Sequence, residues 1–285
     1  MPGPEFDATA FKAFRQREWE DVAKDLPALS DTTIFEVTAR GAEQLLDAVQ
    51  AGPGVRLLDV ACGPGLWASA AVRRGGSLVG LDLAPAMVEQ ARKANPGVEF
   101  RVGDAEQLAF ADHSFDAVTC NFGIQMLGDP ERAMREALRV LRPGGRYAFT
   151  TWCPVERSDF FRMVREAIAR HGDPTLRLPA GPRDFAYGTV EDCERGLREA
   201  GFVDAAACEL ALEAEFLEPT RVLDILATVG KSRALLRLQT PERRTRIESA
   251  IVDAVRAFQH DGHYRLAMPT VLARATRGAG SPRGG

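Results

Sequence analysis

Lysine is scarce in this chain of 285 residues. It occurs only at Lys12, Lys24, Lys93 and Lys231, and arginine supplies the rest of the 36 basic side chains. Against 40 acidic side chains this leaves a formal net charge of −4. The chain therefore lacks the overall basic field that draws a protein to nucleic acid, and we expect no nucleic-acid partner.

Paired cysteines and long apolar runs are also missing. The five cysteines are scattered and form no CxxC pair, which favours free thiols in a reducing compartment over a disulfide framework or a zinc site. No apolar run reaches the length of a membrane span, and the first residues do not show a basic segment followed by an apolar one. We therefore expect no bound metal, no membrane span and a cytoplasmic location.

The middle of the chain alternates between two hydrophobic periods. Strand-like apolar runs and helical runs follow one another, with strands near 55–61, 77–82, 98–102, 115–121 and 145–152 and helices near 66–74, 85–94 and 130–141. Alternation of this kind predicts parallel strands joined by right-handed helical crossovers. We expect an α/β fold, a Rossmann-like seven-stranded and mostly parallel sheet with helices on both faces and a helical cap.

The sequence divides into five segments on this basis. Residues 1–50 are predicted to form an N-terminal helical cap segment, and 51–152 the core of the sheet. Residues 153–188 are predicted to be a cap insertion. The segment 189–276 is predicted to complete the core, with a helical insertion at 219–260 and a last strand at about 264–276. Residues 277–285 are expected to be a flexible tail.

Three aspartates follow successive strands of the alternating region. Asp59 precedes a glycine-rich turn in LLDVACGPG, Asp82 lies in VGLDLAPAM, and Asp104 lies in FRVGDAEQL. Parallel strands place their carboxyl ends at one edge of a sheet, so all three carboxylates are expected to face one crevice, where ligands of open α/β sheets bind. Asp82 is placed to accept hydrogen bonds from a ribose, and Asp104 from an adenine amino group.

The same motifs, with FDAVTCNFG and RVLRPGGRYAFTTW after them, resemble the ordered motifs of class I S-adenosylmethionine-dependent methyltransferases. The nearest branch is the one that includes the ubiquinone and menaquinone C-methyltransferases. The resemblance is strong over residues 40–152 and loose elsewhere, and it implies that the core segment 51–152 binds the cofactor. It implies S-adenosyl-L-methionine as the cofactor, S-adenosyl-L-homocysteine as its product, and a small organic acceptor that is apolar or aromatic and is methylated at carbon or oxygen.

The resemblance also implies roles for particular residues. The loop from Asp59 to Gly65, with Ala61 and Gly63, is expected to wrap the methionine portion of the cofactor. Asp82 is expected to hold the ribose and Asp104 to read the adenine edge. The remaining expected cofactor contacts are Leu83 and Met87 on the adenine face, Ala105 at its edge, and Asn121 and Phe122 beside the transferable methyl group.

The catalytic group is not identified by the motifs. Many relatives carry a histidine near position 125, where this chain has Gln125, which cannot act as a base at neutral pH. The candidates are Gln125, Asn121 and His171. For the acceptor pocket the candidates are Trp19, Gln125, Trp152 and Phe160.

Other functions share part of this pattern. A dinucleotide-binding dehydrogenase would also need a glycine-rich loop, which GPGLWA approximates with Ala68 at the third position. A protein with the methyltransferase fold and cofactor could instead catalyse a cyclisation or rearrangement without methyl transfer. A macromolecular methyltransferase acting on protein or RNA is the third alternative. The oligomeric state is left open, with a homodimer as one arrangement.

Overall fold

The computed structural model describes residues 6–29, 33–182, 185–228 and 230–279. Seven strands form the main sheet in the order β3-β2-β1-β4-β5-β10-β6. These are β1 (Arg56–Val60), β2 (Ser77–Asp82), β3 (Glu99–Val102), β4 (Phe115–Asn121), β5 (Leu141–Trp152), β6 (Val203–Leu210) and β10 (Thr270–Thr276). The five neighbouring strands β3, β2, β1, β4 and β5 pair in parallel. β10 lies between β5 and β6 and is antiparallel to both. The predicted seven-stranded, mostly parallel sheet is confirmed.

Helices cover both faces of this sheet. The ten helices of the described residues are α1 (Ala8–Leu29), α2 (Thr33–Ala48), α3 (Ala68–Arg73), α4 (Pro85–Ala94), α5 (Pro130–Val140), α6 (Asp159–His171), α7 (Val190–Glu199), α8 (Val222–Thr228), α9 (Gly230–Leu238) and α10 (Pro241–Val255). Their ends follow local signals. Asp129, Ser158, Thr189 and Thr240 each accept a hydrogen bond from a backbone N–H in the first turn of the helix that follows.

The predicted strand near 145–152 begins earlier, at Leu141. Leu141 already pairs with Phe115 of β4, and an irregularity in the pairing separates this contact from the regular register that begins at Arg146. Gly144 lies there with φ +77°, a conformation that glycine adopts readily. The Pro-Gly-Gly sequence is therefore an interruption within the strand and not its start.

The prediction of a single last strand at about 264–276 is wrong. Two strands occupy this segment, β9 (His263–Ala267) and β10, separated by Met268 and Pro269. Only β10 joins the main sheet. β9 pairs antiparallel with β7 (Glu213–Phe216) and with β8 (Gln259–His260) in a second, three-stranded sheet. Proline cannot donate a ladder hydrogen bond, which explains why the pairing partner changes there.

The second sheet packs with the helices of the two predicted insertions. A hydrophobic cluster joins α6, α8 and α10 to β7 and β9, with Phe160, Ile247 and Leu266 fully buried in it. Trp152 at the end of β5 and Phe122 after β4 belong to the same cluster. The additional helices are thus anchored directly on the carboxyl edge of the main sheet. Most of the predicted tail at 277–285 lies outside the described residues.

Candidate active site

A cavity opens at the carboxyl edge of the parallel strands, where the loops after β1, β2, β3 and β4 meet. Part of the lining consists of residues from these loops, and part belongs to the N-terminal helices and the cap. Residues of α1 and α2, together with Trp152 and Thr228, complete the lining. Among the predicted site residues the lining includes Ala61, Gly63, Asp82, Leu83, Met87, Asp104, Ala105, Asn121, Phe122, Trp19 and Trp152.

Asp82 lies in this lining at the end of β2. Its Oδ2 accepts a hydrogen bond from the Gly63 N–H at 2.8 Å, and its Oδ1 accepts one from the Ala84 N–H at 2.9 Å. Burial raises the pKa of this carboxyl, and the backbone N–H donors oppose that rise. The carboxylate therefore ties the glycine loop to the start of α4. A carboxylate has about four acceptor positions, so the Asp82 carboxylate retains capacity to accept a hydrogen bond from a ligand.

Asp59 does not line the cavity, which corrects the expectation that three carboxylates face it. Its side chain lies within the sheet, 3% exposed, and Oδ1 accepts a hydrogen bond from the Thr119 hydroxyl at 3.2 Å. Burial raises the pKa of Asp59 well above its usual range, the Thr119 bond opposes the rise, and the charge of Asp82 adds to it. Asp59 belongs to β1 itself and pairs with Gly80 of β2 and Thr119 of β4. Its side chain therefore lies among the strands and not in the glycine loop that follows them.

The glycine loop has two different glycine positions. Gly63 has φ +54° and lines the cavity, and no atom lies within 4 Å of the place where a Cβ would stand. Gly65 has φ +70° and does not line the cavity; a Cβ there would approach Asn95, Phe100 and Ala91 at 2.9–3.1 Å. Gly63 thus exposes backbone to the cavity, and Gly65 allows the loop to pack against α4 and β3.

Asp104 lies in the lining but is already engaged with the N-terminal helix. Its Oδ2 accepts a hydrogen bond from Lys12 Nζ at 2.7 Å, and Lys12 also contacts Glu106 Oε2 at 2.6 Å. Glu106, 3% exposed, accepts hydrogen bonds from the Gly128 and Asp129 N–H groups through Oε1. The sequence analysis missed Lys12 and Glu106. Lys12 shares a helical face with Trp19, and this charge within an apolar stripe was the available signal.

Asn121 ends β4, Phe122 follows it, and both line the cavity. The Asn121 amide donates to the Thr38 carbonyl of α2 at 3.0 Å and accepts from the Thr150 hydroxyl at 2.7 Å. Phe122 has φ +55°, and its N–H donates to Thr150 Oγ1 at 2.9 Å. A non-glycine residue in the left-handed region is uncommon, and such strain is concentrated at functional sites. The Phe122 ring stacks on Trp152, with ring centroids 4.0 Å apart.

Three of the residues predicted for catalysis or for the acceptor pocket also lie outside the cavity lining. Gln125 faces the end of β5, where its Oε1 accepts hydrogen bonds from the Thr151 hydroxyl at 2.8 Å and the Trp152 N–H at 3.1 Å. Phe160 is fully buried among the cap helices, because it belongs to the apolar face by which α6 packs on its neighbours. His171 is the last residue of α6, and its carbonyl accepts a hydrogen bond from Arg243. These placements correct the expectation that Gln125 and Phe160 face the acceptor.

The described residues contain no group of three or more His, Cys, Asp and Glu side chains arranged to hold a metal ion. No helix in the described ranges is both long enough and apolar enough to cross a membrane.

The strand order, the antiparallel β10 and the loop geometry together define the fold of the class I methyltransferases. A family model described as a methyltransferase domain matches residues 58–149. A demethylmenaquinone methyltransferase of Renibacterium salmoninarum is 39% identical over 171 residues, which cover 59% of this chain and 72% of that protein. The nocamycin O-methyltransferase of Saccharothrix syringae is 31% identical over 280 residues, covering 90% of this chain and 98% of that protein.

The chain belongs to the class I S-adenosylmethionine-dependent methyltransferases, and it resembles the menaquinone methyltransferases. It is an enzyme of that class, with S-adenosylmethionine as its cofactor. Among solved structures, the [4+2]-cyclase SpnF shares the fold, with a TM-score of 0.52 and 23% identity; the match covers 85% of this chain and 82% of the cyclase.

Proposed function

We propose that this enzyme transfers a methyl group to a carbon or oxygen atom of a small acceptor that is apolar or aromatic. The observation that carries the proposal is the cap side of the cavity. Ile34 and Phe35 of α2 and Trp152 of β5 add apolar surface to the same cavity that the motif-bearing loops line, and the Trp152 ring stacks on Phe122 of one of these loops. An apolar cavity with a few polar groups is typical of sites for small organic molecules.

We propose that the cofactor binds along the loop side of the same cavity. In our proposal the backbone at Ala61 and Gly63 contacts the methionine portion, and Asp82 accepts hydrogen bonds from the ribose hydroxyls. The open space beside Gly63 and the remaining acceptor capacity of the Asp82 carboxylate support this. When bound, the cofactor supplies a methyl group on a positively charged sulfur.

The adenine is proposed to lie between the β2 and β3 loops. Leu83 and Met87 offer apolar surface there, and Asp104 with Ala105 forms the polar edge. Lys12 holds Asp104 in a fixed position through its hydrogen bond. We propose that Asp59 and Gly65 act from beneath the loop, Asp59 through its place in β1 and Gly65 through its packing on α4 and β3.

Acceptor alignment is the proposed task of the residues at the floor of the cavity. Phe122 and Trp152 are stacked and both line the cavity, and Asn121 lies beside them. Gln125 holds the backbone and the neighbouring hydroxyl of β5 at Trp152 and so acts as a positioning residue in this proposal. Holding the reacting atoms in line for direct displacement contributes several kcal/mol to such reactions.

Product analysis tests the proposal. The protein is incubated with S-adenosylmethionine carrying a labelled methyl group and with panels of phenols, quinols, enols and carboxylic acids, and products are identified by mass spectrometry. We expect label in an organic product together with an equal amount of S-adenosylhomocysteine. Conversion of an acceptor to an unlabelled isomer would instead indicate a cyclisation or rearrangement. Label in protein or RNA alone would indicate a macromolecular acceptor, and either result would overturn the proposal.

A further inference from the structure

A lysine of the N-terminal helix reaches the proposed adenine edge of the cavity. Lys12 belongs to α1 and lines the cavity together with Asp104 and Glu106 of the loop after β3. Its Nζ donates a hydrogen bond to Asp104 Oδ2 at 2.7 Å and contacts Glu106 Oε2 at 2.6 Å. Lys12 and Asp104 are 92 residues apart in the chain, so two distant segments together build this edge of the cavity.

Both oxygens of the Asp104 carboxylate have a defined partner. Oδ1 accepts a hydrogen bond from the Glu106 N–H at 2.9 Å, within the turn that follows β3, and Oδ2 accepts the bond from Lys12. A carboxylate has about four acceptor positions, so these two bonds leave capacity for a donor of the ligand. The first bond is local to the turn, whereas the second depends on α1. The orientation of the Asp104 carboxylate is therefore set jointly by the turn and by α1.

The charge of Lys12 also holds two carboxylates together. Glu106 is 3% exposed, and its Oε1 already accepts hydrogen bonds from the Gly128 and Asp129 N–H groups. Burial opposes the charged form of Lys12, but the hydrogen bonds to Asp104 and Glu106 together outweigh it and raise its pKa, so Lys12 is an ammonium at neutral pH. Without this cation the two carboxylates would repel each other. Asp104 is the more exposed of the two, so it is the side chain that would turn towards solvent.

Close packing fixes the part of α1 that carries Lys12. The neighbouring Phe11 is 1% exposed, and a Cβ at Gly181 would stand only 2.4 Å from its ring. On the other side is Gly128, where a Cβ would stand 3.3 Å from Glu106 Oε1 and 3.8 Å from Lys12 Cε. A side chain that is already held in this way loses less freedom when a ligand arrives than one that moves in solvent. The Lys12 ammonium is therefore in place before the ligand binds.

The group of the purine that such a carboxylate distinguishes is the one at carbon 6. Adenine carries an amino group there, which is a hydrogen-bond donor, whereas hypoxanthine carries an oxygen, which is an acceptor. A carboxylate held at both oxygens can accept from the amino group but faces the oxygen with a like partial charge. A site built to hydrogen-bond one ligand group strongly rejects an analogue that leaves its polar groups unpaired. A carboxylate that could turn to solvent would lose this discrimination.

We propose that Lys12 is a positioning residue that makes the cavity select a cofactor with a 6-amino purine. It acts through Asp104, whose Oδ2 it holds, and it makes this selection depend on the docking of α1. The inference rests on the proposed position of the adenine and extends that proposal to the N-terminal helix. The reverse effect follows as well, because coupling between two binding events is reciprocal: binding of the 6-amino group favours the docked position of α1.

Two ligands that differ at this one group test the inference. S-Inosylhomocysteine is S-adenosylhomocysteine with the 6-amino group replaced by oxygen, and it therefore lacks the donor for Asp104. Calorimetry gives the Kd of each ligand, and the ratio of the two Kd values measures the selection. We expect the wild-type protein to prefer S-adenosylhomocysteine by about tenfold or more, and Lys12→Met to reduce the preference to about threefold or less. A merely structural loss would weaken both ligands and leave the ratio unchanged.

Further variants separate Lys12 from the rest of α1. Lys12→Arg keeps a cation that can bond a carboxylate and is expected to retain a larger ratio than Lys12→Met. Lys24→Met, the same substitution at an exposed position of α1, is the matched control and should behave as wild type. In Asp104→Asn the ratio should already be low, and adding Lys12→Met should lower it no further, because the two residues act as one unit. Circular dichroism confirms the fold of each variant.

The outcomes distinguish this inference from the proposed function. A wild-type ratio close to one would refute both the adenine position and the inference, and would leave methyl transfer to the product analysis. A wild-type ratio that survives in folded Lys12→Met would overturn the inference alone. An equal loss in Lys24→Met would overturn it as well, because the effect would then belong to α1 in general. If Lys12→Met does not fold, Lys12→Gln is judged by the same criterion.

Discussion

Individual carboxylates of this enzyme differ in environment although their sequence contexts look alike. Asp59 is enclosed by the sheet with one hydroxyl partner, whereas Asp82 accepts two backbone N–H bonds at the cavity surface. We therefore expect substitution of Asp59 to change the stability of the protein and substitution of Asp82 to change ligand binding.

Replacing Asp59 by asparagine is expected to stabilise the protein at neutral pH. The raised pKa of Asp59 in the folded state means that the folded protein holds this proton more tightly than the unfolded chain. Its contribution is therefore complete below the unfolded pKa and is lost as the pH rises through the folded pKa. An asparagine side chain at this position mimics the protonated form and can still accept the Thr119 bond.

Thermal denaturation without ligand, from pH 4 to pH 8, measures this effect. We expect the Tm of Asp59→Asn to exceed that of wild type at the alkaline end by about 2 °C or more, roughly the effect of 1 kcal/mol. The difference should shrink towards the acidic end. A variant that is less stable than wild type at every pH would show that the ionised carboxylate is the favoured form.

Replacing Asp82 by alanine is expected to weaken binding of S-adenosylhomocysteine. Loss of a charged acceptor for two hydroxyl groups corresponds to roughly 1.5–3 kcal/mol, or about 10- to 150-fold in Kd. Calorimetry measures the Kd, and circular dichroism confirms the fold. Asp253→Ala on the exposed side of α10 is the control and should leave the Kd unchanged. An unchanged Kd in a folded Asp82→Ala protein would contradict the ribose assignment.

At the scale of an element, the two glycines of the loop after β1 are required for different reasons. Gly63 and Gly65 both have positive φ, so alanine at either costs on the order of 1–2 kcal/mol in backbone strain. At Gly63 a Cβ meets no protein atom and points into open space beside the cavity. At Gly65 it meets Asn95, Phe100 and Ala91.

The two alanine variants should therefore lose different properties, ligand affinity at position 63 and stability at position 65. Gly63→Ala is expected to lower affinity for S-adenosylhomocysteine by about tenfold or more, with only the stability loss that its strain accounts for. Gly65→Ala is expected to lose about 1–3 kcal/mol more stability than Gly63→Ala because of overpacking. Urea denaturation and calorimetry on both proteins give the comparison. The prediction fails if Gly65→Ala is the more stable of the two.

At the scale of the whole molecule, α1 connects α4, which packs on the main sheet, with α8 and α9 of the cap. It lines the cavity, packs on α4, and is held by Arg233 of α9, which contacts the Asp21 carbonyl and Asp25. Arg233 also donates to the Ala227 carbonyl, so one side chain joins α1, α8 and α9. A helix that lines a cavity in this way can open to admit a ligand.

Breaking this connection is expected to loosen α1 without unfolding the sheet. Arg233→Ala removes charge-assisted hydrogen bonds worth about 1.5–3 kcal/mol. We therefore expect trypsin to cleave within α1 of the variant about tenfold or more faster than in wild type. S-adenosylhomocysteine should slow the cleavage in both proteins. Arg256→Ala, at an exposed position, is the control. Equal cleavage rates in Arg233→Ala and wild type would show that α1 is held by its apolar contacts alone.

The sequence by itself determined the succession of strands and helices along residues 55–152 and the parallel pairing of those strands. Apolar periodicity and glycine-rich turns are local signals, and the strand predicted at 77–82 matches β2 at both ends. The family motifs predicted which loops meet, because parallel strands bring their carboxyl ends to one edge. For the same reason most of the expected cofactor residues lie in one cavity lining.

Only the tertiary structure decided which side chains face the cavity. Gln125 follows β4 as expected, but the end of β5 provides hydrogen-bond partners that turn its side chain away from the cavity. The division of the last strand depends on two distant partners, β5 and β7. In the sequence Arg15 is one charged residue of an amphipathic helix, and only the structure shows that it lies beside Met126 and Gly230. These are long-range contacts, and no local pattern of residues encodes them.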